Sequence, residues 1–309
     1  MKILGIGNAI VDVICKVNEN FISENNLTKG TMKLIFEENE FQNLLSNLKI
    51  ERTISGGSVA NSIVGLSQLG DEVGFIGKIS DDDLGNKYEV GLKNENVKYF
   101  YSKKKEKLPT GTCLILVTPD SERTMCTFLG TAGQINENDI NLDAVNKSEL
   151  IFLEGYLWDE GNPKKAFEKA IINSNKVAMS LSDKFCVERH KPHFLNLVKN
   201  KLDIIFANEE EIMSLIDTNN FDEVINFAKE INKHLIITRG EKGAISVLHN
   251  KISEIGVKNN LKIVDLTGAG DLFAAGYLHE LIKNSSPKKC LEKGTELSSR
   301  IIQQIGARF

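Results

Sequence analysis

Four short runs, Leu150-Ile-Phe-Leu153, Val177-Ala-Met-Ser-Leu181, Asp203-Ile-Ile-Phe206 and Leu235-Ile-Ile-Thr238, decide the fold. Each is nearly all apolar, without the alternation of a strand that has one wet face, and each precedes a helical or polar segment. Strands buried on both faces and separated by helices build a parallel sheet with helices on both sides. The chain is therefore expected to be α/β, with a mainly parallel, doubly wound sheet. Ligands of such sheets collect at the carboxyl ends of the strands. Those ends carry Glu154-Gly-Tyr156, Ser180 to Phe185, Asn208 to Glu211 and Thr238-Arg-Gly240.

Downstream, Lys262-Ile-Val-Asp-Leu-Thr-Gly-Ala-Gly-Asp-Leu-Phe-Ala-Ala-Gly-Tyr-Leu-His-Glu-Leu-Ile282 joins a β-branched run to a glycine-rich turn and a helix. Gly268 and Gly270 leave the backbone open to a ligand, and the unpaired N–H groups and dipole of a helix start favour an anion. Asp271 at this corner reads as a helix cap, as a base, or as both. Upstream, Ser55-Gly-Gly-Ser-Val-Ala-Asn61 repeats the pattern, two glycines and a serine cap opening a helix, with Asn61 in its first turn. The first strand, Lys2 to Gly7, ends in Asn8 and Asp12. Pro109 to Pro119 and Arg123 to Phe128 read as a hairpin turning through Pro119-Asp-Ser-Glu122, inserted in the α/β chain.

Composition narrows the classes. With 309 residues, 41% of them hydrophobic, the chain can build a large core. A net charge of -4 with interspersed lysines and arginines leaves no basic footprint for nucleic acid. Lys103-Lys104-Lys105 reads as a solvated hairpin tip, and Asp81-Asp-Asp83 as a helix cap rather than a metal cluster. Five scattered cysteines without a C-x-x-C pair imply reduced thiols and a cytoplasmic protein. The apolar start is broken by Asn8 and Asp12, which predicts a strand and not an export signal, and no run is long enough to span a membrane.

No Walker A loop is present, and Gly5-Ile-Gly7 does not continue into a dinucleotide fingerprint. Phosphate chemistry therefore falls to residues 268–271. Phosphoryl transfer to an alcohol needs alignment, charge neutralisation and a base. Asp271 can be the base, and the amides of Gly268, Ala269 and Gly270 can act as an anion hole. Asn208-Glu-Glu-Glu211 is a source of magnesium ligands or simply a capping box, which looks nearly the same in sequence.

Taken together, Gly56-Gly57 with Asn61, Asn208-Glu-Glu-Glu211, Thr238-Arg-Gly-Glu-Lys-Gly243 and Asp265-Leu-Thr-Gly-Ala-Gly-Asp271 resemble the ribokinase-like (PfkB) family of carbohydrate and nucleoside kinases along essentially the whole chain. The resemblance implies a three-layer core with a small β lid: 1–10, 37–97 and 130–309 as core, 11–36 and 98–129 as lid. It also implies ATP and Mg2+, leaves a monovalent cation open, and assigns Asp271 as base. ATP would lie along Asn208, Thr238, Gly240, Gly243, Gly268 and Gly270, with Mg2+ held by Asn208 and Glu211 through water. Gly7-Asn-Ala-Ile-Val-Asp12, Pro109-Thr-Gly-Thr-Cys113, Glu154-Gly-Tyr156 and Leu181-Ser-Asp-Lys-Phe185 are most similar to adenosine kinases. By that likeness Asn8, Asp12, Gly56, Gly57, Asn61 and Cys113 hold the acceptor while Tyr156 and Phe185 flank a base. The expected activity is transfer of the γ-phosphate to a nucleoside 5′-hydroxyl. A sugar kinase of the same family and a non-catalytic ligand-binding member are the alternatives, and the protein is expected as a monomer or a homodimer through the lid. Leu266 departs from the family's small residue at that position, and Arg123 on the hairpin is expected either to meet phosphate or to pair with Asp120 or Glu122.

Overall fold

The computed structural model describes residues 1–120, 122–159 and 163–309. A nine-stranded sheet contains β1 (Ile3–Ile6), β5 (Val73–Ile76), β6 (Lys98–Tyr99), β9 (Leu150–Glu154), β10 (Val177–Ser180), β11 (Ile204–Asn208), β12 (His234–Thr238), β13 (Ala244–Leu248) and β14 (Lys251–Ile255). Its order is β14-β13-β12-β11-β10-β9-β1-β5-β6, parallel from β6 to β12, with β13 and β14 antiparallel at one edge. A five-stranded sheet, ordered β3-β8-β7-β2-β4, contains β2 (Ile10–Lys16), β3 (Met32–Ile35), β4 (Ile50–Gly56), β7 (Gly111–Val117) and β8 (Arg123–Phe128). The helices are α1 (Glu19–Glu24), α2 (Glu38–Ser46), α3 (Ser58–Gln68), α4 (Asp83–Asn94), α5 (Leu142–Asn146), α6 (Pro163–Ile172), α7 (Lys184–Asn200), α8 (Glu209–Leu215), α9 (Phe221–Ile231), α10 (Ala269–Leu281) and α11 (Pro287–Ile301).

The period of two along each strand divides the core. Leu150 and Phe152 of β9 pack into one cluster with α3, α4, α10 and α11, whereas Ile151 and Leu153 pack into another with residues of α5 to α9. Two helical layers thus cover both faces of the parallel strands, which is why those strands are continuously apolar. Helix α10 lies between α3 and α11. This packing brings Asp271 against the first turn of α3. Among the described residues no helix is long and apolar enough to cross a membrane, and all five cysteines are buried free thiols.

Three details depart from the sequence expectations. The segment 37–97, expected in the core, contains β4, which pairs with β2 in the small sheet, while Lys98–Tyr99, expected in the lid, edges the large one. The lysines 103–105, expected at a hairpin tip, lie instead in the connection between β6 and β7, which belong to different sheets, and Lys103 pairs with Glu89 at 3.1 Å. That turn, 119–122, includes Ser121, which lies outside the described residues. One face of the small sheet contributes Val11, Val13, Leu114 and Phe128 to the core, where Phe128 stacks on Phe41 of α2 with ring centroids 5.2 Å apart. Its other face, with Ile10, Asp12, Cys113 and Ile115, covers the site.

Candidate active site

The carboxyl ends of the parallel strands open into a cleft of about 1080 Å³ beneath the small sheet. Asn8 after β1, Glu154 at the end of β9, Asp183 after β10, Asn208 at the end of β11 with Glu211 beyond it, and Thr238 at the end of β12 all line it. It also takes in Asp12, Gly57, Asn61, Cys113, Tyr156, Phe185 and 266–271. Two expected positions, Gly240 and Gly243, lie in the turn between β12 and β13 and do not line the cleft. Gly56 does not line it either; a Cβ there would stand 2.5 Å from Oδ2 of Asp12, so its role is to let that carboxylate in.

Asp271 is not a cap. Helix α10 is capped by Gly268, whose φ of +80° only glycine adopts freely, and Asp271 follows in the first turn. Its Oδ1 accepts from the Ser58 hydroxyl at 2.7 Å and its Oδ2 from Asn61 Nδ2 at 2.9 Å. Ser58 is likewise no cap: Gly57 caps α3, and the serine hydroxyl is turned to the carboxylate instead. Burial raises the Asp271 pKa to about 6, against the two hydrogen bonds and the nearby Arg308 charge, which lower it. A carboxylate so placed is a stronger base than one in water, yet still ionised near neutrality.

The N-terminus of α10 suits a phosphate. Among the described residues the N–H groups of Gly268, Gly270 and Asp271 have no hydrogen-bond acceptor, and a Cβ on Gly270 would meet nothing within 4 Å. Ala269, expected in the anion hole, instead donates its N–H to Leu266 O at 3.2 Å and closes the preceding turn. Leu266 itself, 65% exposed, lies on the cleft wall.

Further polar groups line the cleft with Asp271. Glu154, 1% exposed, accepts from Asn8 Nδ2 at 3.0 Å and from the Val59 N–H at 2.9 Å, and burial raises its pKa to about 7. Asn8 Oδ1 is buried with no partner. Asp12 on β2, raised to about 7 first by burial, is the register partner of Cys113 on the neighbouring β7, whose thiol is pushed up by burial and accepts from Thr127 at 3.3 Å. Glu154 and Ser58 were not expected as site residues. Ser58 had a signal, its place after the glycine pair; Glu154 had its strand end.

At the other end, Asn208 and Glu211 form the capping box. Asn208 Oδ1 accepts from the Glu211 N–H at 2.8 Å, and Glu211 Oε2 and Oε1 accept from Asn208 N and Nδ2 at 2.9 and 2.6 Å. Both carboxylate oxygens are therefore engaged, and among the described residues no group of three or more His, Cys, Asp or Glu is placed to hold a metal. This donor set fits a magnesium ion held through water and substrate phosphates rather than directly. Glu211 is raised to about 7 by burial.

Arg123 pairs with neither Asp120 nor Glu122. From the small sheet its Nη1 reaches Asp265 Oδ2 at 2.7 Å, where the Gly306 N–H also donates at 2.8 Å; Thr267 N and Oγ1 donate to Oδ1 at 3.0 and 2.7 Å. Burial alone would raise Asp265, but these donors and the arginine charge hold it below the usual carboxylate range. Arg123→Met is expected to destabilise the protein by about 1–3 kcal/mol at pH 7. Because a depressed pKa stabilises above the unfolded value and is lost below it, the deficit should shrink as pH falls under about 4. Melting curves of the two proteins at pH 7 and 3.5 check this.

The chain belongs to the PfkB family of carbohydrate kinases, whose pattern matches residues 26–309. It is accordingly a phosphotransferase that acts on hydroxyl groups. Adenosine kinase from Sinorhizobium meliloti has a structure similar to this one at TM-score 0.91, with 34% identity over 100% of this chain and 95% of that one. A probable sugar kinase from Rhizobium etli is similar at TM-score 0.89 and 34% identity, covering 99% and 94%. Adenosine kinase 2 of Arabidopsis thaliana is 26% identical over 99% of this chain and 95% of its own.

Proposed function

We propose that the protein transfers the γ-phosphate of ATP to the 5′-hydroxyl of a nucleoside, with adenosine the favoured acceptor. The observation that carries this reading is the lining of the cleft beyond the acid cluster. Phe185, 67% exposed, and Tyr156 face it together with Leu34, Cys113, Ile115 and Met125 from the small sheet. An aromatic and apolar wall suits a planar base better than a free sugar. The orphaned Oδ1 of Asn8 calls for a hydroxyl donor, and Asp12 and Asn61 beside it make a ribose acceptor reasonable.

In this reading Asp271 takes the acceptor proton, and the amides of Gly268 and Gly270 stabilise charge on the moving phosphoryl group. ATP lies toward Asn208 and Thr238. Glu211 and Asn208 would hold Mg2+ through water, where it would supply neutralisation of phosphate charge. Both similar adenosine kinases support the nucleoside. The probable sugar kinase, equally identical to this chain, favours the second reading, a sugar kinase using the polar Asn8, Asp12 and Glu154 end alone. A non-catalytic binding member is opposed by the intact Asp271 corner.

ATP consumption by the purified protein with adenosine, other nucleosides, ribose and fructose decides among them. Turnover of a free sugar far above any nucleoside would overturn the nucleoside reading, and no turnover with any acceptor would favour the binding protein. Phe185→Ala should raise KM for adenosine roughly tenfold, the worth of one lost aromatic contact, with kcat little changed. A KM equal to the parent's would remove Phe185 from the acceptor site.

A further inference from the structure

We infer that Arg308 is a positioning residue for the reaction, holding Asp271 through Asn61 in the orientation in which it takes the acceptor proton. The inference rests on the reading of Asp271 as the base. Residues 302–309 fold back from α11 over the loop that feeds α10. The N–H groups of Val264 and Asp265 donate to Ile302 O at 2.8 and 3.2 Å, and the Gly306 N–H donates to Asp265. A Cβ on Gly268 would lie 2.5 Å from that of Ala307. Gln304 Nε2 donates to Arg308 O at 2.7 Å, and the Arg300 guanidinium stands 4.1 Å above the centre of the Phe309 ring. The segment is thus tied down on both sides of Arg308. The arginine lines a second cavity of about 310 Å³ that shares Asp12, Asn61 and Thr267 with the main cleft.

Its Nε donates to Asn61 Oδ1 at 3.0 Å, and Asn61 Nδ2 donates to Asp271 Oδ2 at 2.9 Å. A guanidinium has donors only, so this contact decides which end of the Asn61 amide meets it. The oxygen faces Arg308, and the Nδ2 is left for the carboxylate. Without the arginine, the amide is free to turn its oxygen toward Asp271, where it repels the charge it now holds. Arg308 Nη2 is enclosed and has no hydrogen-bond partner among the described residues.

Charge acts in the same direction. Asp271 is faced by Ser58 and Asn61 of α3, Asp12 of β2, Glu154 of β9, Tyr156 beyond it, and Arg308; Arg123 of β8 acts on Asp12. Arg308 opposes the upward push of burial on both Asp12 and Asp271. Its removal leaves Asp12 and Asp271 with less cation, so the base must hold its proton to higher pH.

The experiment uses Arg308→Met, Asn61→Ala, the double variant and Asp271→Asn, with the acceptor that the turnover screen identifies. Arg308→Met should lower kcat about tenfold, leave KM for ATP unchanged, and move the acid limb of kcat/KM upward by about half a pH unit or more. In the Asn61→Ala background the same change should cost less than about twofold, because the relay is already broken. Parental kcat and acid limb in Arg308→Met, or a tenfold loss undiminished by Asn61→Ala, would overturn the inference. If Arg308→Met does not fold, Arg308→Lys decides: it keeps the charge but not the fixed Nε fork. Its acid limb should stay while kcat falls several-fold, and parental kcat would overturn the inference. Parental turnover in Asp271→Asn sinks the base reading itself, whereas an inactive Asp271→Asn beside a fully active Arg308→Met sinks only the role of Arg308.

Discussion

Asp271→Asn should lower kcat by about 10²- to 10⁴-fold, the usual worth of a positioned base, and leave the fold intact. The reason the fold survives lies in the hydrogen bonds. Asp271 accepts from Ser58 Oγ and from Asn61 Nδ2. An asparagine keeps its oxygen toward Asn61 and gives its NH2 to Ser58, whose hydroxyl rotates to accept. The buried charge disappears as well, which removes a cost rather than adding one. Steady-state turnover and a thermal melt on the same preparation separate the two effects, and parental turnover would take Asp271 out of the base role.

The pH profile carries a second signature of the same group. A base must be deprotonated, so kcat/KM rises with pH through the pKa of the free enzyme. Burial holds Asp271 at about 6 and both Asp12 and Glu154 at about 7. The three line the same cleft, and Asp271 acts on both of the others, so the acid limb belongs to the cluster and not to one residue. Activity should therefore fall on acidification well before an ordinary carboxylate would protonate.

The sheet was legible because four runs are apolar on both faces, which only a covered parallel sheet requires. Their ends named the site because strand direction fixes where loops gather. Strand β4 was not legible: Ile50-Glu-Arg-Thr-Ile-Ser-Gly56 is exposed at its start and buried only at its end, so neither alternation nor an apolar run marks it. The capping roles were misassigned for a related reason. A glycine at positive φ caps each helix, Gly57 one position before Ser58 and Gly268 three before Asp271, which frees Ser58 and Asp271 to face each other. Asn208 and Glu211 close the box that their spacing suggests. Arg308 reaches Asn61 across 247 residues of sequence, a contact set by how 302–309 returns over residues 264–268, and no local pattern carries it.

Gly57→Ala is expected to remove about 3–5 kcal/mol of stability, the sum of a strained backbone and an unrelieved overlap. Gly57 has φ +101°, and a Cβ there would lie 2.2 Å from the backbone oxygen of Asn8. Backbone cannot rotate away as a side chain can, so either β1 or the first turn of α3 must shift. Both carry the site: Asn8 and the Val59 N–H share the Glu154 carboxylate, and Ser58 and Asn61 hold Asp271. Stability and turnover should therefore fall together, with Tm lower by roughly 10 °C and kcat/KM reduced for acceptor and ATP alike. Gly70→Ala supplies the control, since Gly70 has φ +89° but a Cβ there meets nothing within 4 Å. It should cost only about 1–2 kcal/mol of backbone strain and leave kcat unchanged, so the difference between the two variants measures the contact with Asn8. A Gly57→Ala protein that melts and turns over like Gly70→Ala would show that Asn8 yields freely, and that this contact has no part in setting the acceptor site.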